Sequence, residues 1–450
     1  MPQAIASSSM QQRLDEAREA RGVPAASLAV LRDGKIDTAA SGILNLDTGV
    51  EATTDSLFQI GSITKVWTAT VVMKLVEDGR IELDAPLRRY IPEFTVEDIT
   101  IRHLLTHSSG IDGDNLADTG RGDDALAKYV ATCAALQQVH PVGATMSYCN
   151  TGYTLLGRVI EVVTGRVWDT AMRELLFEPL ELTHTATLPE DVLRFRAAIG
   201  HISPAGTLVT ASKWGLPRTA GPPGAICSTA SEVVRFARLH LSGGEGIVDA
   251  STAEAMQQPQ VAVPSAGVGT SAAHWGLGWE LFEWDGRRVV GHDGNTIGQA
   301  AFLRVVPDAG VAIALLTNGG GATGLHRDLL GPLLSETTGI ALPAELVPPQ
   351  EPVAVDAAAY VGVYERESSS LRVEARGDGI VAIMTMAGIA AEITPEPVEL
   401  PLERVAADDD LFVTQHPAAP GMWLPVRFMT FADGSRILHL GGRATPRVGN

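Results

Sequence analysis

A serine and a lysine three positions apart are the first residues of this 450-residue chain whose types and spacing point to chemistry. Ser62 and Lys65 lie in the run Gly61-Ser62-Ile63-Thr64-Lys65, which opens a helical pattern. Residues three apart on a helix share one side, so the amine can take the proton as the serine oxygen attacks. A serine that only caps a helix favours Glu or Gln three positions on, and a lysine there opposes the helix dipole. The pair therefore predicts a nucleophilic serine.

Two later segments carry further candidate side chains. Tyr148-Cys149-Asn150 stands just before a strong helical pattern over residues 153–164, where Tyr148 is either a core aromatic or a catalytic phenol and Asn150 is a candidate cap. The run His292-Asp293-Gly294-Asn295 follows a strand pattern. Trp275 either lines the same pocket or packs in the core, and His107, at the end of a short helical run, is interpreted as a cap or packing residue.

The elements that must position these residues are strands at both ends of a helical segment. Alternating or continuous apolar runs predict two hairpins, 23–31 with 35–40 and 300–306 with 311–316. Residues 87–219 are mainly helical, and a last apolar helix covers about 325–338. This order predicts a mixed α/β (α+β) fold, in which a mostly antiparallel sheet is covered by helices and an all-helical lobe is inserted between its halves.

The chain changes character after residue 342. Residues 343–359 are rich in proline, alanine and acidic residues without periodicity, which is typical of a linker. Residues 360–450 contain short alternating runs separated by turn signals, which predicts a small antiparallel β-barrel or sandwich. The expected organisation is therefore a first domain over 1–342, with its helical lobe at about 87–219, and a second domain over 360–450.

Composition excludes several classes of function. Against 34 Lys and Arg the chain has 53 Asp and Glu, a net charge of −19, so binding to nucleic acid or to an anionic membrane is not expected. Three scattered cysteines suit neither a disulfide framework nor a zinc site, and we expect no metal and no cofactor. The first thirty residues lack a signal-peptide pattern and no run is long enough to span a membrane, which predicts a cytoplasmic protein.

The three segments, taken in order, resemble a known superfamily. Ser62-x-x-Lys65, Tyr148-Cys149-Asn150 and His292-Asp293-Gly294 are similar to the three motifs of the serine β-lactamases and penicillin-binding proteins. The nearest branch contains class C β-lactamases, DD-carboxypeptidases, D-aminopeptidases, family VIII carboxylesterases and related acyltransferases. The flanks Leu57-Phe58-Gln59-Ile60-Gly61-Ser62, Leu104-Leu105-Thr106-His107-Ser108-Ser109-Gly110 and Asn150-Thr151-Gly152-Tyr153 support this resemblance. It covers roughly residues 10–340, and the C-terminal part resembles the barrel appended to some D-aminopeptidases.

The resemblance implies a role for each candidate. Ser62 would be the acylated nucleophile, Lys65 would help to deprotonate it, and Tyr148 would share the role of base. Asn150 would hold a substrate amide or orient Lys65. The oxyanion would bind the backbone N–H groups of Ser62 and of Asn295, which follows Gly294 on the strand of the third motif.

One departure from the superfamily concerns the third motif. It usually begins with Lys in β-lactamases, whereas this chain has His292, as esterases and D-aminopeptidases often do. A neutral imidazole is a poor partner for a β-lactam carboxylate, and the site has one cation fewer near Tyr148. We therefore expect weak β-lactam hydrolysis.

The expected function is acyl transfer through an acyl-Ser62 intermediate, from a small ester or amide to water. The partners would be a small-molecule acyl donor and acceptor. A biosynthetic transacylase that passes the acyl group to an amine or alcohol is one alternative, and a non-catalytic penicillin-binding-like sensor is another. The sequence leaves open which donor and acceptor are used, whether the chain forms a homo-oligomer and what the C-terminal domain does.

Overall fold

Two β units dominate the computed structural model of this chain, a nine-stranded sheet and a closed eight-stranded barrel, and two short two-stranded sheets complete the strand pairing of the described residues. It describes residues 7–203, 206–265, 271–388, 391, 396–417 and 421–449. Helices cover the sheet, so the expected mixed α/β fold with an antiparallel sheet is confirmed. Within the described ranges, no helix combines the length and the apolar character needed to cross a bilayer.

The strands and helices have the following bounds. The strands are β1 (Ala25–Arg32), β2 (Lys35–Asn45), β3 (Val50–Glu51), β4 (Phe58–Gln59), β5 (His201–Ile202), β6 (Val209–Thr210), β7 (Cys227–Ser228), β8 (Val261–Ala262), β9 (His274–Trp275), β10 (Glu280–Trp284), β11 (Arg287–Asn295), β12 (Ala300–Val306), β13 (Val311–Thr317), β14 (Gly362–Arg366), β15 (Ser369–Arg376), β16 (Gly379–Met386), β17 (Val398–Arg404), β18 (Leu411–Gln415), β19 (Trp423–Thr430), β20 (Arg436–Leu440) and β21 (Arg443–Gly449). The helices are α1 (Ser7–Ala20), α2 (Thr64–Glu77), α3 (Ile101–Leu105), α4 (Ala125–Thr132), α5 (Asn150–Thr164), α6 (Trp168–Met172), α7 (Pro189–Val192), α8 (Gly221–Gly224), α9 (Ala230–Leu241), α10 (Ala250–Met256), α11 (Ala322–Leu325) and α12 (Gly331–Thr338).

The sheet joins the two ends of the first domain. Its order is β3-β2-β1-β13-β12-β11-β10-β9-β8, so the N-terminal hairpin pairs antiparallel with the last strand, with Leu28 opposite Leu315. Successive side chains of β1 point to opposite faces, and both faces are buried. Leu28 packs with Met10 of α1, whereas Ala29 belongs to the core that contains α2. The sheet is therefore the middle layer between two groups of helices.

Helix α2 is the central helix of the first domain. It is buried on almost all sides rather than on one apolar face, as a helix enclosed by other elements must be. Trp67 stacks on Phe236 of α9 with ring centroids 4.3 Å apart and meets Phe177 edge-on. These contacts pack α2, which carries Lys65 near its start, against α9 and Phe177.

The second β unit is a barrel, closed by pairing of β14 with β21. Aromatic side chains fill its interior, among them Tyr360, Tyr364, Phe412 and Phe428. A filled interior leaves no room for a large ligand inside the barrel. The chain from Gly339 to Asp356 forms neither helix nor strand, and we retain 1–342, 343–359 and 360–450 as a proposed division into catalytic domain, linker and barrel domain.

Candidate active site

Ser62 and Lys65 are brought into direct contact at the start of α2. Ser62 lies in the short 3₁₀ turn Gly61–Ile63 that leads into the helix, where no side chain caps the helix. The Nζ of Lys65 lies 3.0 Å from the Oγ of Ser62 and donates to the backbone carbonyl of Pro223 at 2.8 Å. Lys65 has no solvent exposure, whereas Ser62 is partly exposed. The amine is thus held against a hydroxyl that solvent and substrate can reach.

Burial favours the neutral amine of Lys65. Loss of solvent lowers the pKa of the ammonium well below its ordinary value, and the nearby charge of Arg443 lowers it further. The carboxyl groups of Asp114 and Glu280 act in the opposite direction. A neutral amine has a free electron pair, so it can accept the proton of Ser62.

Tyr148 lies over the same amine. Its ring centroid is 4.7 Å from the Nζ of Lys65. Burial raises the pKa of the Tyr148 phenol, and a hydrogen bond with the side chain of Ser62 partly offsets this effect. Before substrate binds, the arrangement therefore favours a neutral amine beside a neutral phenol. In that state the phenol can donate a proton to a leaving group while the amine accepts one.

Aromatic and imidazole rings surround Tyr148. His107 stacks on it with centroids 4.4 Å apart, and Trp275 meets it edge-on at 5.7 Å. Trp275 also packs against His292 at 5.5 Å, so this tryptophan lines the site as well as being buried. The Nδ1 of His107 accepts from the backbone N–H of Cys149 at 2.9 Å, and its backbone is left-handed with φ of 56°. Sequence reasoning treated His107 as a cap or packing residue, and the structure places it against Tyr148.

The third motif lies on β11. His292 is buried, and its Nδ1 donates to the carbonyl of Asp293 at 2.7 Å. Burial lowers the pKa of His292 to about 3, with the charge of Lys65 acting in the same direction, so the imidazole is neutral at pH 7. The carboxylate of Asp293 is bound by Arg304 at 2.5 and 3.1 Å. Burial raises the pKa of neighbouring Glu280 to about 8. This edge of the site thus offers no free cation among the described residues.

Two glycines allow β11 to pass against the start of α2. A Cβ on Gly294 would lie 1.9 Å from the carbonyl oxygen of Ile60 and 2.9 Å from the nitrogen of Ser62. A Cβ on Gly61, whose φ is +52°, would lie 2.6 Å from the nitrogen of Asn295. Only glycine permits so close an approach of two backbones. As a result, the backbone nitrogens of Ser62 and Asn295 lie at the same junction.

Asn150 is placed differently from what the sequence indicated. It is the first residue of α5, and the cap is Cys149, whose Sγ accepts from the N–H of Gly152 at 3.2 Å. The expectation that Asn150 caps this helix is therefore wrong. Its amide nitrogen donates to Asp114 at 3.0 Å, and no hydrogen bond to Lys65 is found in the described part of the chain.

Asp114 connects the site to the barrel. Its carboxylate is bound by Arg443, through Nε at 2.6 Å and Nη2 at 3.1 Å, and by Arg366 at 2.7 Å. Both arginines belong to the barrel. The carbonyl of Gly442 accepts from the N–H of Tyr148 at 2.8 Å. Sequence reasoning missed these residues because no local pattern links a barrel turn to a segment three hundred positions earlier.

The arrangement combines the parts of an acyl-transfer site. A partly exposed hydroxyl lies beside a buried amine and a phenol, which are groups that can exchange protons, and two backbone nitrogens lie next to it. Ser62, Lys65, Tyr148, His292 and Trp275 meet in one place, with Gly294 and Asn295 next to Ser62. Asn150 reaches this place through Asp114.

Three known proteins show what this chain is similar to. Penicillin-binding protein 4 of Amycolatopsis lactamdurans is 48% identical over 373 residues, which cover 80% of this chain and 98% of that protein. A crystal structure of SurE with D-Leu aligns over 98% of this chain and 99% of that chain, with a TM-score of 0.78 and 28% identity. D-amino acid amidase from Ochrobactrum anthropi SV3, complexed with L-phenylalanine amide, aligns over 72% of this chain and 98% of that chain, with a TM-score of 0.61 and 26% identity.

The family model described as Beta-lactamase matches residues 10–331, which include all three motifs. This match covers well over half of the sequence and agrees with the fold and with the relatives above. The chain therefore belongs to the Beta-lactamase family of serine enzymes.

Proposed function

We propose that this protein is a serine acyl-transfer enzyme that forms an acyl ester on Ser62 from a small ester or amide and passes the acyl group to water. The observation that carries the proposal is the fully buried amine of Lys65, 3.0 Å from the hydroxyl oxygen of Ser62. Burial of a lysine without an ionic partner costs folding free energy. Ionisable groups with strongly shifted pKa values cluster at functional sites.

In the first half of the reaction, the Oγ of Ser62 attacks the carbonyl carbon of the donor and its proton passes to the neutral Nζ of Lys65. The backbone N–H groups of Ser62 and Asn295 stabilise the developing oxyanion. The bond to the leaving alcohol or amine then breaks, and the leaving group takes a proton from Tyr148, which recovers it from Lys65. Acyl-Ser62 and the free alcohol or amine are the products.

In the second half, water attacks acyl-Ser62 and loses a proton to the neutral Nζ of Lys65. The ester bond to Oγ breaks, the acid leaves, and Ser62 regains its proton. No step in this scheme needs a metal or a cofactor. His292 and Trp275 line the donor pocket, and Asn150 and Asp114 lie beside it.

The proposal is tested by intact-mass spectrometry after incubation with short-chain esters, amino acid amides and β-lactams. We expect an added mass equal to the acyl group, mapped to Ser62, and absent from Ser62→Ala. D- and L-amino acid amides belong in the panel as matched pairs, because relatives include a D-amino acid amidase and a structure with D-Leu. A complete absence of adducts and of turnover would favour a non-catalytic sensor instead.

Transfer to an amine or alcohol is the second candidate. No residue described near Ser62 is dedicated to water, because the neutral amine of Lys65 can deprotonate water, an amine or an alcohol alike. We expect the acyl-enzyme to partition measurably when acceptor is added, with hydrolysis competing. The ratio of products against acceptor concentration at fixed donor measures this partition. A ratio that stays at pure hydrolysis across many acceptors contradicts a transacylase.

A cytoplasmic location and the assembly state complete the proposal. The acidic chain has no described helix that could cross a bilayer, which is compatible with a cytoplasmic site of action and small metabolites as partners. Cell fractionation with an antibody against the native protein tests the location. Light scattering of the purified protein distinguishes a monomer from a homo-oligomer.

A further inference from the structure

The turn between β20 and β21 places one end of the barrel next to Tyr148. The carbonyl of Gly442 accepts from the N–H of Tyr148 at 2.8 Å. On the other side of the turn, the N–H of Ala444 donates to the Oγ of Ser147 at 3.0 Å. Residues 442 and 444 are thus tied to the segment that carries the phenol. Arg443 lies between these two residues, so their backbone hydrogen bonds help to fix its position beside Tyr148.

The guanidinium of Arg443 faces the Tyr148 ring, with its Cζ 5.1 Å from the ring centroid. Its Nη1 donates to the carbonyl of Gly441 at 3.0 Å, and two other nitrogens bind Asp114. Asp114 also binds Arg366, so one carboxylate lies between two guanidinium groups. The cluster therefore has a net positive charge, and its Arg443 member is the one in contact with Tyr148.

We propose that the barrel completes the active site, and that Arg443 is a positioning residue whose charge favours the neutral amine of Lys65 and eases release of the Tyr148 proton during acyl transfer at Ser62. The inference rests on the proposed function, since it assumes that both groups exchange protons with Ser62 or with the acceptor. It gives the barrel a role other than carriage of a large ligand, for which its aromatic-filled interior leaves no room.

The physical argument is electrostatic. A positive charge near a base disfavours the protonated amine and favours a phenolate, so Arg443 lowers the pKa of both Lys65 and Tyr148. A cation over the face of an aromatic ring is also attracted to the ring, and the attraction grows when the ring becomes negative. The third motif supplies no such charge, because His292 is neutral. Arg443 thus acts as the cation that the third motif lacks.

Other titratable groups face the pair from several elements and limit the effect. Asp114 and Glu280 raise the pKa of both Lys65 and Tyr148, and Asp114 offsets part of the charge of Arg443. His107 and His292 are held neutral by burial, as are the side chains of Cys149 and Tyr153. None of these groups is a cation at neutral pH.

The test is the pH dependence of kcat/KM for an activated small ester, which reports the essential groups of the free enzyme. In Arg443→Gln, the part of the kcat/KM profile that rises with pH should move to higher pH by about one unit or more. This is the usual scale for a charge at this distance. Arg443→Lys keeps the charge and should recover most of the shift. Asp114→Asn removes the opposing charge, so its limb should move to lower pH. Arg366→Gln is the matched control. It removes the other barrel guanidinium that binds Asp114, and this one is not in contact with Tyr148. Its pH profile should shift less than that of Arg443→Gln.

Opposite shifts in Arg443→Gln and Asp114→Asn cannot come from a general loss of stability and would support the inference. Equal losses of rate in Arg443→Gln and Arg443→Lys with an unchanged pH profile would overturn it. If the unmodified protein forms no acyl-Ser62, the proposed function itself fails. If it does form this ester but Arg443→Gln retains the original profile, only the present inference fails.

Discussion

The backbone N–H of Tyr148 donates to the carbonyl of Gly442, which ties the candidate catalytic phenol to a turn of the C-terminal barrel at 2.8 Å. Two segments that are far apart in sequence therefore meet at the residue proposed to carry protons. A hydrogen bond between main-chain groups does not depend on side-chain identity. The bond between Tyr148 and Gly442 therefore places any residue at position 443 beside the Tyr148 ring.

Ser62 is expected to be the only nucleophile that a serine-reactive probe labels. A fluorophosphonate or nitrocefin-type probe should add its mass to the unmodified protein and not to Ser62→Ala. Cys149 is the competing nucleophile nearest to the site, but burial raises the pKa of its thiol to about 12, so the thiolate is scarce at neutral pH. Cys149→Ser keeps a polar cap for α5 and should retain labelling. Peptide mapping that finds the label on Cys149 would contradict the assignment.

Lys65→Ala and Tyr148→Phe should each reduce turnover by about a hundredfold or more, the usual scale for loss of a general base. Because Lys65 lies over the Tyr148 ring and both reach Ser62, the two losses should not add in the double variant. Steady-state kinetics on a small ester measures all three proteins.

Tyr153→Phe is the matched control for Tyr148→Phe. The Tyr153 ring is also near the Nζ of Lys65, at 5.6 Å, but its hydroxyl donates to the carbonyl of Leu105. Its removal should cost about 1 kcal/mol of stability and leave most of the turnover. If Tyr148→Phe behaves like this control, Tyr148 is a packing residue and the second proton carrier lies elsewhere.

β-Lactam hydrolysis should be weak compared with ester hydrolysis. His292 is neutral because burial lowers its pKa to about 3, and it pairs poorly with a carboxylate. His292→Lys should raise the ratio of β-lactam to ester turnover, measured with a cephalosporin and a small ester under the same conditions. Efficient cephalosporin hydrolysis by the unmodified protein would overturn this reasoning.

Gly294→Ala should impair both stability and activity. The added methyl group would lie 1.9 Å from the carbonyl oxygen of Ile60, so β11 and the start of α2 must separate. Overpacking of this kind costs about 1–3 kcal/mol, and the separation would also misplace the nitrogens of Ser62 and Asn295. Gly215→Ala is the control, because its methyl group would only touch Pro189 at 3.7 Å. Thermal unfolding and ester turnover should change in the first variant alone.

The spacing of residue types along the chain determined much of the fold and part of the candidate site. The contact of Ser62 with Lys65 follows from helical periodicity, and β1, β12 and β13 follow from apolar runs that two buried faces require. These patterns depend on neighbours in the chain, so the sequence alone shows them. The order of the three motifs, together with their flanking residues, was likewise enough to identify the family.

Tertiary structure decided the rest. Asn150 begins α5 rather than capping it, because the extended backbone and the sulfur of Cys149 satisfy the N–H of Gly152 instead. His107 is part of the site only because its loop packs against Tyr148. The pairing of Arg443 with Asp114 depends on how the barrel docks, which is a balance of many weak contacts between distant segments. No periodic pattern in the sequence predicts how the barrel docks. For this reason, only the folded structure shows that the charge of Arg443 lies beside Tyr148.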